Sequence, residues 1–261
     1  MQIDFYKYQG TGNDFILLDN RDQRYQGLST EQIRLLCDRR FGIGADGLMT
    51  LNTLEGYDFE MKYYNADGRE GSMCGNGGRC IVKFASHLGI VQSVYRFLAT
   101  DGPHEAEIDN DGTVSLKMID VTEVKKSGAD FILNTGSPHY IKMVPRVADW
   151  DVVKKGREIR YSREFEKEGI NVNFVEHLEE EDKISVRTYE RGVENETYSC
   201  GTGVTAAAIV CYHNEKGFNE VEVITPGGKL SVEFDKTGET HFENIWLCGP
   251  AEKVFEGRVT I

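Results

Sequence analysis

Residues 74–77 read CGNG and residues 200–203 read CGTG, so one short motif of a cysteine and two glycines occurs twice, 126 positions apart. Three further pairs of short segments follow the same order at nearly the same offset. They are Thr11-Gly12-Asn13 with Thr135-Gly136-Ser137, Gly42-Ile43-Gly44 with Gly169-Ile170-Asn171, and Tyr64-Asn65 with Tyr189-Glu190. We therefore predict two related halves, residues 1–118 and 119–261, each of ordinary domain size.

The composition excludes several classes of protein. The net charge is −13 and the basic residues are scattered, which argues against nucleic acid as a partner. No apolar run approaches the roughly 18 residues that a membrane-spanning helix needs. The first ten residues, MQIDFYKYQG, lack the basic and apolar regions of a signal peptide. These features predict a cytoplasmic enzyme or binding protein that acts on a small molecule.

Each half has the same order of predicted elements. Alternating apolar strands come first, followed by a helix from Ser29 or Thr30 in the first half and an ambiguous segment, DWDVVKKGREIRYS, in the second. A helix should follow each CGxG motif, and we expect these two helices to end at Gly89 and Gly217. Strand hairpins with NDG (110–112) and PGG (226–228) turns close the halves. The pattern predicts an α+β fold in which a mostly antiparallel, barrel-like sheet surrounds a central buried helix, built twice.

The six cysteines fall into two groups. Cys37, Cys80, Cys211 and Cys248 lie in apolar patterns typical of buried thiols. Cys74 and Cys200 instead precede glycines at predicted helix N-termini, where the pKa of a thiol falls and free N–H groups can bind a carboxylate. No CxxC pair indicates a zinc site, and the expected compartment argues against disulfides, so we expect no metal.

Two such sulfurs on related halves suit inversion at a carbon next to a carboxylate. One sulfur would remove the proton and the other would deliver a proton to the opposite face, without a cofactor. Three other readings remain open at this point: two structural cysteines, a thiol hydrolase that uses one cysteine with His139, and a non-catalytic protein that binds a small molecule.

The chain resembles diaminopimelate epimerases over essentially its whole length. The matching segments are GTGNDFILLD (10–19), RRFGIGADGL (39–48), YYNADGREGSMCGNGGRC (63–80), GSPHY (136–140), INVNF (170–174) and YERGVENETYSCGTG (189–203). The resemblance implies cofactor-independent interconversion of LL- and meso-diaminopimelate, on the route to lysine and peptidoglycan. It also implies two pseudo-symmetric domains with the active site between them, a homodimer, and a return of the last residues, GRVTI, to the first domain.

The resemblance also assigns the site residues. Cys74 and Cys200 are the acid–base pair, and His139 and Glu190 lie near the cysteines and tune them. The residues implied in substrate binding are Asn13, Asn65, Gly75, Asn76, Asn171, Glu190, Arg191, Gly201 and Thr202. Of these, Gly75, Asn76, Gly201 and Thr202 would offer backbone N–H groups to the substrate carboxylate.

Two positions depart from the family pattern. Ser137 stands where the family's Gly-Asn-Pro-His segment has Asn, and Gly47 stands where some members have Gln. Both positions bear on recognition of the distal end of the substrate. A proline or hydroxyproline racemase is the alternative enzyme, but such racemases resemble this chain less, since they have His at the position of Asn76 and Asp-Arg-Ser-Pro before the second cysteine.

Overall fold

The computed structural model describes residues 1–71, 73–180 and 182–261. It divides the chain into two compact units. Unit 1 contains Met1–Leu116 together with Pro250–Ile261, and unit 2 contains Lys117–Gly249. The sequence placed the division between residues 118 and 119, within two residues of this boundary.

The two units contain the same order of strands and helices, except that unit 2 has an additional first strand and a 3₁₀ turn. In unit 1 the elements are β1 (Gln2–Gly10), β2 (Asn13–Asp19), α1 (Thr30–Cys37), β3 (Gly47–Asn52), β4 (Phe59–Asn65), β5 (Glu70–Gly71), α2 (Gly75–His87), β6 (Tyr95–Ala99), β7 (Gly102–Ile108) and β8 (Val114–Lys117). In unit 2 they are β9 (Val124–Ser127), β10 (Asp130–Asn134), β11 (Pro138–Met143), a 3₁₀ turn (Val147–Asp149), α3 (Val152–Arg160), β12 (Asn171–His177), β13 (Lys183–Glu190), β14 (Asn195–Thr197), α4 (Gly201–Val210), β15 (Gly217–Thr225), β16 (Gly228–Lys236) and β17 (Phe242–Gly249). The ambiguous segment of the second half is therefore helical, as α3.

The strands also pair in the same way in both units. In unit 1, β1 is antiparallel to β2, β2 parallel to β3, β3 antiparallel to β4, β4 parallel to β6, and β6, β7 and β8 run antiparallel in turn. In unit 2, strands β10 to β17 repeat this sequence of pairings, with β14 beside β13 as β5 lies beside β4. This shared topology is the structural form of the repeat that the two CGxG motifs predicted.

An edge strand completes each unit from a different part of the chain. In unit 2, β9 pairs antiparallel with the adjacent β10. In unit 1 the equivalent position beside β1 is taken by β18 (Glu252–Thr260), which runs antiparallel from the Gln2–Thr260 pair to the Gln9–Glu252 pair. The C-terminal residues, including GRVTI, therefore return to the first unit.

Helices connect the parallel strand pairs, because parallel neighbours need a long crossover connection. Helix α1 connects β2 to β3, and α3 connects β11 to β12. Ser29 caps α1 by accepting a hydrogen bond from the N–H of Gln32, whose side chain accepts one from the N–H of Ser29. Asp151 caps α3 in a similar way through the N–H of Lys154.

Helices α2 and α4 connect the other parallel pairs and are the most buried helices of their units. Every residue of α4 except Thr202 and Val210 is buried, as its apolar sequence predicted. Helix α2 is followed by Gly89, whose φ of 86° favours glycine, at the predicted position. The sheets packed around these central helices confirm the predicted fold class, and the NDG and PGG segments form the predicted hairpin turns.

The predicted end of the second central helix was wrong. Helix α4 ends at Val210, and Gly217 instead begins β15. The buried side chain of Asn219 explains the early end: its Oδ1 accepts the N–H groups of His213 and Asn214, and its Nδ2 donates to the carbonyls of Asn214 and Gly217. These bonds hold residues 213–217 in a loop that the helical pattern did not reveal.

Candidate active site

Cys74 lies at the N-terminus of α2. It is the N-cap residue, with an extended backbone (φ −103°, ψ 135°), and its carbonyl accepts the N–H of Gly78 at 2.7 Å. Its side chain is half-buried, whereas Cys37, Cys80, Cys211 and Cys248 are buried as predicted. The first N–H groups of a helix have no partner within the helix, so Gly75 and Asn76 are placed to present theirs to an anion beside the sulfur.

Asn13 connects Cys74 to the start of β2. Its Oδ1 lies 3.5 Å from Cys74 Sγ and 3.4 Å from Asn76 Nδ2, both of which donate to it. Its Nδ2 donates to Asp46 Oδ2 at 2.6 Å. The structure thus brings together Asn13, Cys74, Gly75 and Asn76, four residues that the sequence predicted for the site.

Arg79, a residue of α2, supports the group formed by Asn13, Cys74, Gly75 and Asn76. The sequence did not predict this role. The residue is fully buried. Its guanidinium donates to Asn76 Oδ1 at 3.1 Å, Thr11 Oγ1 at 3.2 Å and the Gly75 carbonyl at 3.4 Å. A buried guanidinium is stable only with such partners. An arginine next to the apolar residues Cys80, Ile81 and Val82 was the available signal.

A cluster of charges lies beyond Asn13. Arg39 Nη2 contacts Asp14 at 2.6 Å and Asp46 at 2.7 Å, and the buried Lys7 contacts Asp14 at 2.6 Å. Burial opposes ionisation of Asp14, but hydrogen bonds from Arg39 and Lys7 outweigh it and lower the pKa of Asp14 to about 2. The contact with Arg39 holds Asp46 in place as the acceptor for Asn13.

Asn65 lies further along unit 1. It is the last residue of β4, is exposed, and packs against Gly71, where an added Cβ would lie 2.8 Å from Asn65 Nδ2. Gly71 is three residues before Cys74, so Asn65 stands beside the segment that leads into the cysteine.

Cys200 occupies the equivalent place at the N-terminus of α4. It is the N-cap residue, is half-buried, and its carbonyl accepts the N–H of Val204 at 2.8 Å. Its Sγ lies 3.5 Å from Thr202 Oγ1, which in turn lies 2.9 Å from His139 Nε2. The Thr202 carbonyl accepts a hydrogen bond from Thr135 at 2.7 Å. The predicted residues Cys200, Gly201, Thr202 and His139 are thus adjacent.

His139 is neutral. Burial, with a smaller contribution from the charge of Arg191, lowers its pKa to about 3. Its Nδ1 lies 3.0 Å from Asn173 Nδ2, which also donates to the Tyr140 carbonyl, while Asn173 Oδ1 accepts from Thr188 at 2.8 Å. Asn173 was not among the predicted residues, although it lies in the quoted INVNF segment.

A second cluster in unit 2 is built on Asn171. The Nδ2 of this buried residue donates to Ser137 Oγ at 2.8 Å, and its Oδ1 accepts the backbone N–H of Arg191 at 2.9 Å. The Arg191 side chain reaches Ser137 Oγ at 3.5 Å and the Glu168 carbonyl at 3.1 Å. Glu190 ends β13 beside this cluster. Ser137, which departs from the family pattern, therefore joins two of the predicted binding residues.

Neither a metal-binding cluster nor a membrane-spanning helix is found among the described residues. In the described ranges, no three or more His, Cys, Asp or Glu side chains are grouped so that they could hold a metal ion. Among the same residues, every helix is too short or too polar to cross a membrane.

Comparison with solved structures first gives the class of fold. A phenazine biosynthesis protein of the PhzF family from Bacillus anthracis superposes with a TM-score of 0.77 at 16% identity, covering 100% of both chains. A probable proline racemase from Agrobacterium radiobacter superposes with a TM-score of 0.69 at 14% identity, covering 99% of this chain and 93% of the other. At these identities the likeness shows the shared two-domain fold.

The family follows from the sequence matches. The family model described as diaminopimelate epimerase matches residues 5–124 and 131–254. A diaminopimelate epimerase from Flavobacterium psychrophilum is 49% identical over 96% of this chain and 98% of its own length, and one from Chlorobaculum tepidum is 43% identical over 97% and 99%. The chain belongs to the diaminopimelate epimerase family and is an enzyme of the isomerase class, which confirms the resemblance seen in its sequence.

Proposed function

We propose that this protein interconverts LL- and meso-diaminopimelate by moving the α-proton between the substrate and two cysteine sulfurs. One observation carries most of the weight: each unit presents a half-buried cysteine at the N-terminus of its central helix. Both sulfurs therefore lie where N–H groups and the helix dipole favour anions. The names of the relatives supply the substrate.

In the proposed reaction one cysteine thiolate removes the α-proton and the other cysteine thiol protonates the opposite face. The carboxylate next to the α-carbon gains charge as the C–H bond breaks. Backbone N–H groups of Gly75, Asn76, Gly201 and Thr202 would stabilise that charge. This mechanism needs no pyridoxal phosphate or other cofactor, because the helix N-termini perform the stabilising role.

Polar side chains would bind the rest of the substrate. Asn13 and Asn65 would contribute from unit 1, and Asn171, Glu190 and Arg191 from unit 2. The bonds of Ser137 to Asn171 and Arg191 suggest that Ser137 acts by positioning these residues.

Two assays test this function. The purified protein should invert LL-diaminopimelate and leave L-proline unchanged under the same conditions. In deuterated water the inverted product should carry deuterium at the α-carbon. Inversion of proline instead would favour the racemase alternative, and inversion without solvent label would rule out exchange through the thiols. Binding of diaminopimelate without turnover would support the non-catalytic alternative.

The biological setting belongs to the same proposal. We place the enzyme in the cytoplasm, in the synthesis of lysine and of the peptidoglycan precursor, and we expect a homodimer. Light scattering during size-exclusion chromatography should give a mass near twice the 29.5 kDa of one chain. A monomer with full activity would show that dimerisation is unnecessary for function.

A further inference from the structure

The two cysteines are held by hydrogen bonds that run in opposite directions. In unit 1 the neighbour of Cys74 is the side-chain oxygen of Asn13, at 3.5 Å. An amide oxygen only accepts hydrogen bonds, so this contact requires a proton on the Cys74 sulfur. The direction depends on which end of the Asn13 amide faces Cys74.

Two contacts fix the Asn13 amide in this orientation. Its NH₂ group donates to the Asp46 carboxylate at 2.6 Å, and a carboxylate accepts but does not donate when ionised. Its oxygen accepts the NH₂ group of Asn76 at 3.4 Å. Asn76 is fixed in turn, because its own oxygen accepts from the Arg79 guanidinium at 3.1 Å. Rotation of the Asn13 amide would break both contacts.

In unit 2 a corresponding series of contacts leads to the opposite result at Cys200. Asn173 Nδ2 donates to the Tyr140 carbonyl and Asn173 Oδ1 accepts from Thr188, so Nδ2 is also the donor to His139 Nδ1. The proton of the neutral imidazole is then on Nε2, which donates to Thr202 Oγ1 at 2.9 Å. The Thr202 hydroxyl, which accepts from His139, is then free to donate its own proton to Cys200 Sγ, 3.5 Å away.

We infer, on the basis of the proposed function, that the resting enzyme holds Cys200 as the thiolate and Cys74 as the thiol. Thr202 donates its hydroxyl proton to the Cys200 sulfur, and Asn13 accepts the proton of Cys74. Asn173 and Asp46 are positioning residues: they act through His139 and Asn13 and set the direction of each series of bonds.

Charged groups near either cysteine could compete with this preference. Arg79 on α2 would favour a thiolate at Cys74, but its guanidinium is directed at Asn76, Thr11 and the Gly75 carbonyl. Asp46 and Arg39 lie beyond Asn13, and Asp101 accepts the N–H of Met73.

In unit 2, Glu190 is the last residue of β13 and Arg191 follows it. His139 on β11 is neutral. Each unit thus has an arginine in this region, Arg79 in unit 1 and Arg191 in unit 2, and each cysteine is the N-cap of a helix. These two features are common to both cysteines. The direction of the adjacent hydrogen bond differs between the two sulfurs.

The resting form determines the first half-reaction. Cys200 takes the α-proton as the C–H bond breaks and an S–H bond forms. The Cys74 S–H bond breaks and its proton goes to the opposite face of the carbanion, leaving Cys74 as the thiolate. Return to the resting form requires the reverse reaction or an exchange of protons with water.

The ultraviolet absorbance of the thiolate, measured in variants that lack one of the two cysteines, tests without substrate which sulfur is the thiolate. Cys74→Ser retains Cys200, and Cys200→Ser retains Cys74. Ultraviolet titration of each reduced variant, with the double variant subtracted, should give a Cys200 midpoint lower than that of Cys74 by about one pH unit or more. A Cys74 midpoint equal to or below that of Cys200 would overturn the inference.

Variants of Thr202 test whether the hydrogen bond from its hydroxyl is what stabilises the Cys200 thiolate. In the Cys74→Ser background, Thr202→Val removes the hydroxyl but keeps the shape, so the Cys200 midpoint should rise by about one unit. Thr202→Ser keeps a hydroxyl and should restore most of the shift. Asn173→Leu should also raise the midpoint by removing the donor that fixes the His139 tautomer. An unchanged midpoint in Thr202→Val would remove Thr202 as the source of the preference.

The titrations and the activity assays can fail separately. Loss of the predicted midpoint order in a protein that inverts diaminopimelate would leave the proposed function standing. The predicted order in a protein without that activity would instead reject the substrate. In parallel, site-resolved alkylation of the parent by iodoacetamide should modify Cys200 before Cys74 at about neutral pH, with the reverse order counting against the inference.

Discussion

The residues beneath the two central helices differ although the folds around them match. A Cβ added to Gly77 in α2 would meet Met49 Sδ at 3.3 Å and Phe15 at 3.5 Å. A Cβ added to the equivalent Gly203 in α4 would meet Asn173 Oδ1 at 2.3 Å and His139 Cε1 at 3.3 Å. The layer under the first turn is therefore apolar in unit 1 and polar in unit 2.

Strand register shows that these residues are structural equivalents. Phe15 on β2 pairs with Gly47 on β3, and His139 on β11 pairs with Asn171 on β12, within the same parallel arrangement. A repeated fold can thus keep its topology while each copy takes on different chemistry. Unit 1 orients its cysteine with Asn13 above an apolar layer, and unit 2 uses the polar layer itself.

Replacement of either cysteine should have the largest effect and would show whether the two halves share the reaction. We expect Cys74→Ser and Cys200→Ser each to lower kcat by on the order of 10³-fold or more, because general acid or base catalysis is lost. Substrate affinity, measured by calorimetry, should change little. The buried Cys37, replaced by Ala, is the matched control and should retain activity. Full activity in either serine variant would mean that one half is dispensable.

The polar layer of unit 2 should make stability depend on pH. The pKa of His139 is about 3 in the folded state and about 6.5 when unfolded, so between these values the unfolded chain binds the extra proton. The contribution of His139 is fully present above about pH 6.5 and is lost as the pH falls, at a cost on the order of 4 kcal/mol near pH 3.

Urea unfolding of the parent and of His139→Gln between about pH 5 and pH 7 measures this contribution. The parent should lose stability more steeply than the variant toward pH 5. Equal slopes would indicate that His139 is protonated without penalty in the folded state, contrary to its burial.

The sequence predicted most of the fold because the repeat constrains both halves together. The CGxG motifs placed two central helices, and glycine at position 89 correctly marked the end of the first. The second end was misplaced at Gly217, because the hydrogen bonds by which the buried Asn219 side chain holds residues 213–217 in a loop form only in the folded chain.

The site was predicted less completely. The motifs indicated Cys74 and Cys200, each with the immediate neighbours that share its own helix N-terminus. Arg79 and Asn173 were missed, since nothing in sequence shows that a guanidinium turns inward or that an amide reaches a histidine on the adjacent strand. Local motifs predict the residues at the helix N-termini. The buried polar side chains that support those residues can be recognised only from the packing of the folded chain.

Alanine at the two equivalent glycines should sharpen the contrast between the layers. Gly203→Ala would force the hydrogen-bonded Asn173 to move and should cost about 1–3 kcal/mol of unfolding free energy. Gly77→Ala meets the end of the flexible Met49 side chain, and the helix propensity of Ala offsets that contact by about 1 kcal/mol. Urea denaturation should therefore show Gly77→Ala within about 1 kcal/mol of the parent. A larger loss for Gly77→Ala than for Gly203→Ala would contradict the packing difference.

The N-caps of the equivalent crossover helices α1 and α3 should show the smallest difference in their contribution to the free energy of unfolding. Ser29→Ala removes the hydroxyl that caps α1, and Asp151→Ala removes the carboxylate that caps α3, so each should lower the free energy of unfolding by about 1 kcal/mol. The two caps differ in charge: only Asp151 also interacts with the helix dipole, and about 1 M salt screens that interaction. In salt the cost of Asp151→Ala should fall by a few tenths of a kcal/mol, whereas the cost of Ser29→Ala should not change. Equal salt dependence of the two variants would show that the caps act through hydrogen bonding alone, and that the two halves do not differ at this position.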